Sequence, residues 1–278
     1  MKIGGKYRIF ETLGNGAFGK THKVTNFRDP FALKEIQIQK STDTSAVDTE
    51  LEAHENLPRH EHLVTFIDHF TENDNIYVVL DFCEPGNLND FAVSEKMDDV
   101  AITRAMKDVA HGLQHLHKHN VVHGNVKPQN ILLTLSHGNK PVFKLSDFNL
   151  SKCSCSKDLL STAFAGNQPI DAFVSGPCGL TLFWAPEYKE GLYSSPGDVF
   201  SLGVVDFALF SMRLEKKTLC PAVKSAGQER PLALCSDDEI ETAVKATVSD
   251  SVRGIVGRML TVDPTGRPTI NDVLDTFE

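Results

Sequence analysis

Val121-Val122-His123-Gly124-Asn125-Val126-Lys127-Pro128-Gln129-Asn130 lies between a stretch with helical spacing and the apolar run Ile131-Leu132-Leu133. A histidine, a lysine and two asparagines are thereby set on a loop between two ordered elements. Upstream, Ile102, Ala105, Met106, Val109, Leu113 and Leu116 recur at helical spacing, so a long amphipathic helix leads into the loop. His111, His115 and His119 fall at i, i+4 and i+8 of that helix. A metal role for them competes with a plain role as surface or capping residues, and no carboxylate or cysteine completes the set at ligand spacing. Downstream, Ile131 to Leu133 and Phe143 to Leu145 read as two short strands about a turn containing Gly138-Asn139. The second strand delivers Asp147-Phe148-Asn149.

Length and composition bound what this loop can belong to. A chain of 278 residues, 41% of them apolar, suffices for one large domain or two lobes sharing a seam. Its formal charge of −9 argues against a nucleic-acid or anionic-membrane surface, which needs a clustered basic face. A small-molecule or protein partner is expected instead. Six scattered cysteines, with no N-terminal apolar segment of the signal-peptide kind, read as reduced thiols in an intracellular protein, cytoplasmic or nuclear. Cys153 and Cys155 lack a second pair, so they read as structural. The longest apolar run, Val199 to Met212, is far short of the roughly 20 residues that span a bilayer, and Asp206 interrupts it. It reads as a buried helix, and no membrane span is expected.

Near the N-terminus, residues 7 to 36 alternate apolar and polar with glycines between, which predicts a twisted antiparallel sheet. Gly14-Asn15-Gly16-Ala17-Phe18-Gly19 sits within it. Such glycines commonly just make a turn, but residues without Cβ also let backbone N–H groups approach a polyphosphate. Fifteen residues past Gly19, Phe31-Ala32-Leu33-Lys34 ends an apolar strand on a lysine, either a solvated edge residue or a phosphate ligand. Ser45 to Leu57 has helical spacing and offers Glu50, Glu52 and Glu55 as partners for Lys34. Ile76 to Leu80 is a continuous apolar strand followed by Asp81-Phe82-Cys83-Glu84-Pro85-Gly86, the sharpest composition shift in the chain.

Taken in order, these stretches resemble the motifs of a eukaryotic protein kinase domain of the serine/threonine type nearly end to end. The opening loop resembles H-R-D-x-K-x-x-N, Asp147-Phe148-Asn149 resembles D-F-G, and Ala185-Pro186-Glu187 matches A-P-E. Asp198-Val199-Phe200-Ser201-Leu202-Gly203 resembles the start of the family's buried helix, whose aspartate fixes the catalytic-loop backbone. Arg267 is the arginine expected to pair with Glu187. Phrases such as Gly86-Asn87-Leu88-Asn89-Asp90 are faintly similar to the PDLIM-interacting kinase group.

The resemblance implies a bilobal α+β fold over residues 1–278, with a sheet-rich N-lobe (1–83) and a helical C-lobe (84–278). It implies ATP and Mg2+ as cofactors and a protein as substrate or partner. Gly14, Gly16 and Gly19 would cover the phosphates, and Lys34 and Glu50 would hold them. The backbone around Asp81 and Cys83 would meet the adenine edge, Lys127 would serve the transferred group, and Asn130 and Asp147 would hold the metal. Asn125 stands where the family carries the aspartate that accepts the substrate proton, and a neutral amide cannot take that proton. Gly124, Asn149 and Leu180 depart in the same neighbourhood. These departures imply a pseudokinase acting through protein interaction. The alternatives are a serine/threonine kinase inactivated at position 125 and a scaffold that binds no nucleotide.

Overall fold

The computed structural model describes residues 2–16, 19–38, 51, 55–136, 138–147, 152–153, 180–212, 214–215, 217–225 and 228–277. Its N-terminal part is a curled antiparallel sheet of six strands: β1 (Lys2–Ile3), β2 (Tyr7–Gly16), β3 (Gly19–Asn26), β4 (Asp29–Gln37), β5 (Phe66–Glu72) and β6 (Asn75–Asp81). They run in the order β1-β2-β3-β4-β6-β5. The alternation read from residues 7 to 36 fills both faces. Tyr7, Val24, Leu33, Tyr77 and Val79 pack on one side, and Ile36, Ile76 and Val78 on the other. Period-two alternation then sends Lys34, paired with Val78 across β4 and β6, to the face opposite Leu33. The β5–β6 hairpin turns on Asn73 and Asp74, both at positive φ, which short polar side chains tolerate best.

The C-terminal part is mainly helical. A short helix α1 (Leu88–Ser94) precedes α2 (Asp99–Lys118), which starts where the Asp98 side chain accepts from Ala101 N at 2.8 Å. The face of α2 predicted from Ile102, Ala105, Met106, Val109, Leu113 and Leu116 is buried throughout. It packs on α3 (Ser195–Ser211), which is buried on nearly every side from Gly197 to Leu209. α4 (Asp237–Thr247) and α5 (Asp250–Met259) pack on α3, and α6 (Ile270–Asp275) packs on α2.

Between the two parts run β7 (Gly86–Asn87), β8 (Val121–Val122), β9 (Ile131–Leu135) and β10 (Pro141–Leu145). β9 and β10 pair in register from Leu135–Pro141 to Ile131–Leu145. Asn130 enters that hairpin and Asp147 leaves it, so they emerge side by side at its open end. Ser146 N donates to Asn130 O at 2.9 Å there.

Candidate functional site

Asp147 is the junction at which three segments meet. It lies two residues beyond β10 with φ at +68°, a left-handed conformation that aspartate tolerates better than most side chains. Its Oδ1 is 3.1 Å from Lys34 Nζ, a pair 113 positions apart that links the sheet to the loop. Its Oδ2 accepts from Asn125 Nδ2 at 3.3 Å. Burial pushes the Asp147 carboxyl up, but the charge and hydrogen bond of Lys34, together with the charge of Lys127, outweigh it and hold the group below the usual carboxylate range. Burial lowers the Lys127 ammonium, against the pull of Asp147.

The loop that carries Asn125 is clamped from beneath. Asp198, 0% exposed in the first turn of α3, accepts from His123 N at 2.9 Å and from Gly124 N at 2.8 Å. The Nε2–H of His117 and the Tyr188 hydroxyl donate to the same carboxylate, at 2.9 and 3.3 Å. Burial pushes Asp198 up, but these donors and the nearby histidines win and keep it an anion. His123 has its tautomer fixed by two bonds: Nε2–H donates to Ser146 O at 3.1 Å, and Nδ1 accepts from Asn125 N at 3.2 Å. Burial depresses its pKa, in keeping with that neutral form. Asn130 Nδ2 donates to Asn125 O at 2.9 Å, which leaves the side-chain oxygen Oδ1 of Asn130 as an acceptor or ligand.

This donor set suits magnesium. One carboxylate and one amide oxygen are hard ligands of the kind Mg2+ takes alongside substrate phosphates rather than in an all-protein cage. Among the described residues no group of three or more His, Cys, Asp or Glu could hold a metal by itself.

Of the residues singled out from sequence, Lys34, Asn125, Lys127, Asn130 and Asp147 come together. Gly14 is exposed, with open space where a side chain would stand, and Gly16 pairs with Gly19 across β2 and β3. Asp81 ends β6, its N–H donating to Thr65 O at 2.9 Å. Cys83 is buried, and burial pushes its thiol up to about 11, so it is a neutral group. Glu50 and Asn149 lie outside the described residues, and of Leu180 only the backbone is described. Arg267 and Glu187 form the expected pair, two-pronged at 2.6 and 2.9 Å. Among the described residues His111, His115 and His119 belong to no group that could hold a metal; His115 stacks on His60, His111 stacks on His62, and His119 tilts against His115. Sequence reasoning missed His117 and Ser146. The only signal for His117 is its place beside Leu113 and Leu116 on the buried helix face, just ahead of the loop.

Comparison with known proteins agrees with this geometry. The chain is 27% identical over 277 residues to a probable serine/threonine-protein kinase of Zea mays, covering 97% of this chain and 40% of that one. It is 28% identical over 279 residues to the carbon catabolite-derepressing protein kinase of Saccharomyces cerevisiae, covering 97% and 39%. The chain therefore spans about two fifths of the length of these relatives. A family model described as the protein kinase domain matches residues 7–277, and the chain belongs to that family.

Proposed function

We propose that this domain binds ATP with magnesium between its sheet and its helical part, transfers phosphate poorly or not at all, and acts as a pseudokinase by presenting its shape to a protein partner inside the cell. The lobes divide after Cys83 in this reading. The observation that carries it is the Lys34–Asp147–Asn125 assembly: the lysine and the carboxylate that this reading gives to phosphate and metal stand 3.1 Å apart, while the side chain facing Asp147 is an amide that donates to it. Lys34 holds the phosphates under the glycine turn, and the backbone around Asp81 and Cys83 meets the adenine. Asp147 and the Asn130 oxygen hold the metal, which when bound neutralises charge on the phosphates. Lys127 adds a positive charge on the side from which a hydroxyl would approach. At that point the site lacks a base. Losing general-base catalysis removes about 10²–10⁴-fold in rate, so a residue of activity from positioning and charge alone is expected.

A second reading is favoured by the retention of Lys34, Asn130 and Asp147: a serine/threonine kinase inactivated by the amide at position 125. Phosphate transfer from radiolabelled ATP, to itself and to a generic basic protein, separates the two when the chain is compared with Asn125→Asp. The pseudokinase reading expects Mg-ATP to raise the melting temperature while both forms stay near background. Revival by about two decades or more in Asn125→Asp would establish the disabled kinase instead. No rise in melting temperature with Mg-ATP would leave the nucleotide-free scaffold.

A further inference from the structure

We propose that Asn125 makes ATP binding in this cleft largely independent of a divalent cation, by tying down the carboxylate that otherwise calls for one. The inference rests on the nucleotide-binding reading above and concerns how the same site is regulated. Its first support is geometric. Both oxygens of Asp147 are engaged by the protein's own donors, Oδ1 by the Lys34 ammonium at 3.1 Å and Oδ2 by the Asn125 amide at 3.3 Å. The backbone that carries the amide is held in place beneath that contact. Asn125 is 6% exposed, its N–H is bonded to His123 Nδ1, its carbonyl receives Asn130 Nδ2, and the two residues before it hang on Asp198. An aspartate held in this frame would set a carboxylate oxygen against Asp147 Oδ2 at hydrogen-bonding distance. Two carboxylates so placed repel unless a cation or a proton lies between them. The amide turns that repulsion into a bond, and the site is assembled before any metal arrives.

The second support is charge. Lys34, Lys127 and Asp147 sum to one positive charge when residue 125 is an amide, and to zero when it is a carboxylate. Whatever else lines the cleft, the amide leaves it one unit more positive. A triphosphate without magnesium carries more negative charge than its magnesium complex, so it gains most from that unit. Magnesium keeps its ligands in Asp147 and the Asn130 oxygen. It becomes an accessory to binding rather than a condition for it.

Calorimetric titration of the whole chain with ATP, in excess magnesium and in excess EDTA, tests this for the parent, Asn125→Asp and Asn125→Ala. The parent is expected to hold ATP with dissociation constants within about threefold in the two buffers. Asn125→Asp is expected to bind about tenfold or more weakly in EDTA than in magnesium. Asn125→Ala, which keeps the charge and loses the bond, should fall between. Binding by the parent in magnesium alone overturns the inference and leaves the nucleotide-binding reading standing. No binding in either buffer overturns both. Should Asn125→Asp melt as an unfolded chain, the parent and Asn125→Ala decide the matter, since an alanine form as indifferent to EDTA as the parent removes the hydrogen bond from the account.

Discussion

Gly19 has no room for a side chain. It sits in β3 at φ +147°, and a Cβ there would lie 1.8 Å from Glu35 O on the neighbouring strand β4. Its identity is therefore dictated by close strand packing, whereas a Cβ at Gly14 would meet nothing within 4 Å. Gly19→Ala should cost about 2–4 kcal/mol, from overpacking against backbone together with unfavourable φ. Urea unfolding checks this, and an alanine variant as stable as the parent would show that β3 and β4 can part at no cost. The residue scale also explains why the motif around Asn125 survives the loss of its carboxylate. Asp198 holds the loop through the main chain of His123 and Gly124, bonds that do not depend on the side chain at 125.

At the scale of the element, α3 carries an anomaly that its packing makes measurable. Asp206 is 0% exposed, and neither of its oxygens has a hydrogen-bond partner among the described residues. Burial alone pushes its carboxyl well above the usual range, which favours the protonated form. Its folded pKa lies above the unfolded value of roughly 3.9, so the folded chain binds the extra proton. Stability from this group is full below that value and is lost as pH rises towards the folded pKa. Asp206→Ala should raise stability by about 1–3 kcal/mol at about pH 7, and by less at about pH 4. Urea unfolding at the two pH values measures it, and an alanine form less stable than the parent at the higher pH would refute the account. The burial of α3 itself was legible in the run from Val199 to Met212, as were α2 from its apolar spacing and the β9–β10 hairpin from Gly138-Asn139. Their register then explains the nearness of Asn130 to Asp147. Not legible were contacts set by how elements cross, such as Lys34 with Asp147 or His117 with Asp198. Periodicity fixes the face a side chain takes but not what stands opposite it.

For the whole molecule, one of the contacts that join the sheet to the helical part responds to acid. Besides the Lys34–Asp147 pair, the segment around residues 58–64 docks on both α2 and β10. His62 O accepts from Leu145 N at 2.9 Å, Val64 N donates to Leu145 O at 2.8 Å, and His115 Nε2–H donates to Pro58 O at 2.8 Å. Gly112 makes the approach possible, since a Cβ there would come within 2.7 Å of His62 O. Five imidazoles line this seam. His60 stacks on His115 at 4.6 Å and His62 on His111 at 5.7 Å, and His119 tilts against His115 at 4.5 Å. Burial, with His115, His62 and His111 nearby, lowers the pKa of His60 to about 4, and burial lowers His111 and His115 as well. The same groups titrate near 6.5 in the unfolded chain, which therefore binds more protons between those values. The sign is opposite to that of Asp206: stability is present above about pH 6.5 and is lost as pH falls towards 4. Because the rings are only partly buried, solvent screening cuts the loss between pH 7 and 5 to roughly 1–2 kcal/mol, or about 2–6 °C in a domain of this size. His60→Gln should recover a good part of it. The comparison of melting temperatures at the two pH values cancels Asp206 and the surface carboxylates, which both forms share. Equal acid losses in the two would mean that the stacked rings do not titrate as a group. A smaller loss in His60→Gln would place the acid sensitivity in the segment hydrogen-bonded to Leu145, two residues before the carboxylate that meets Lys34 and Asn125.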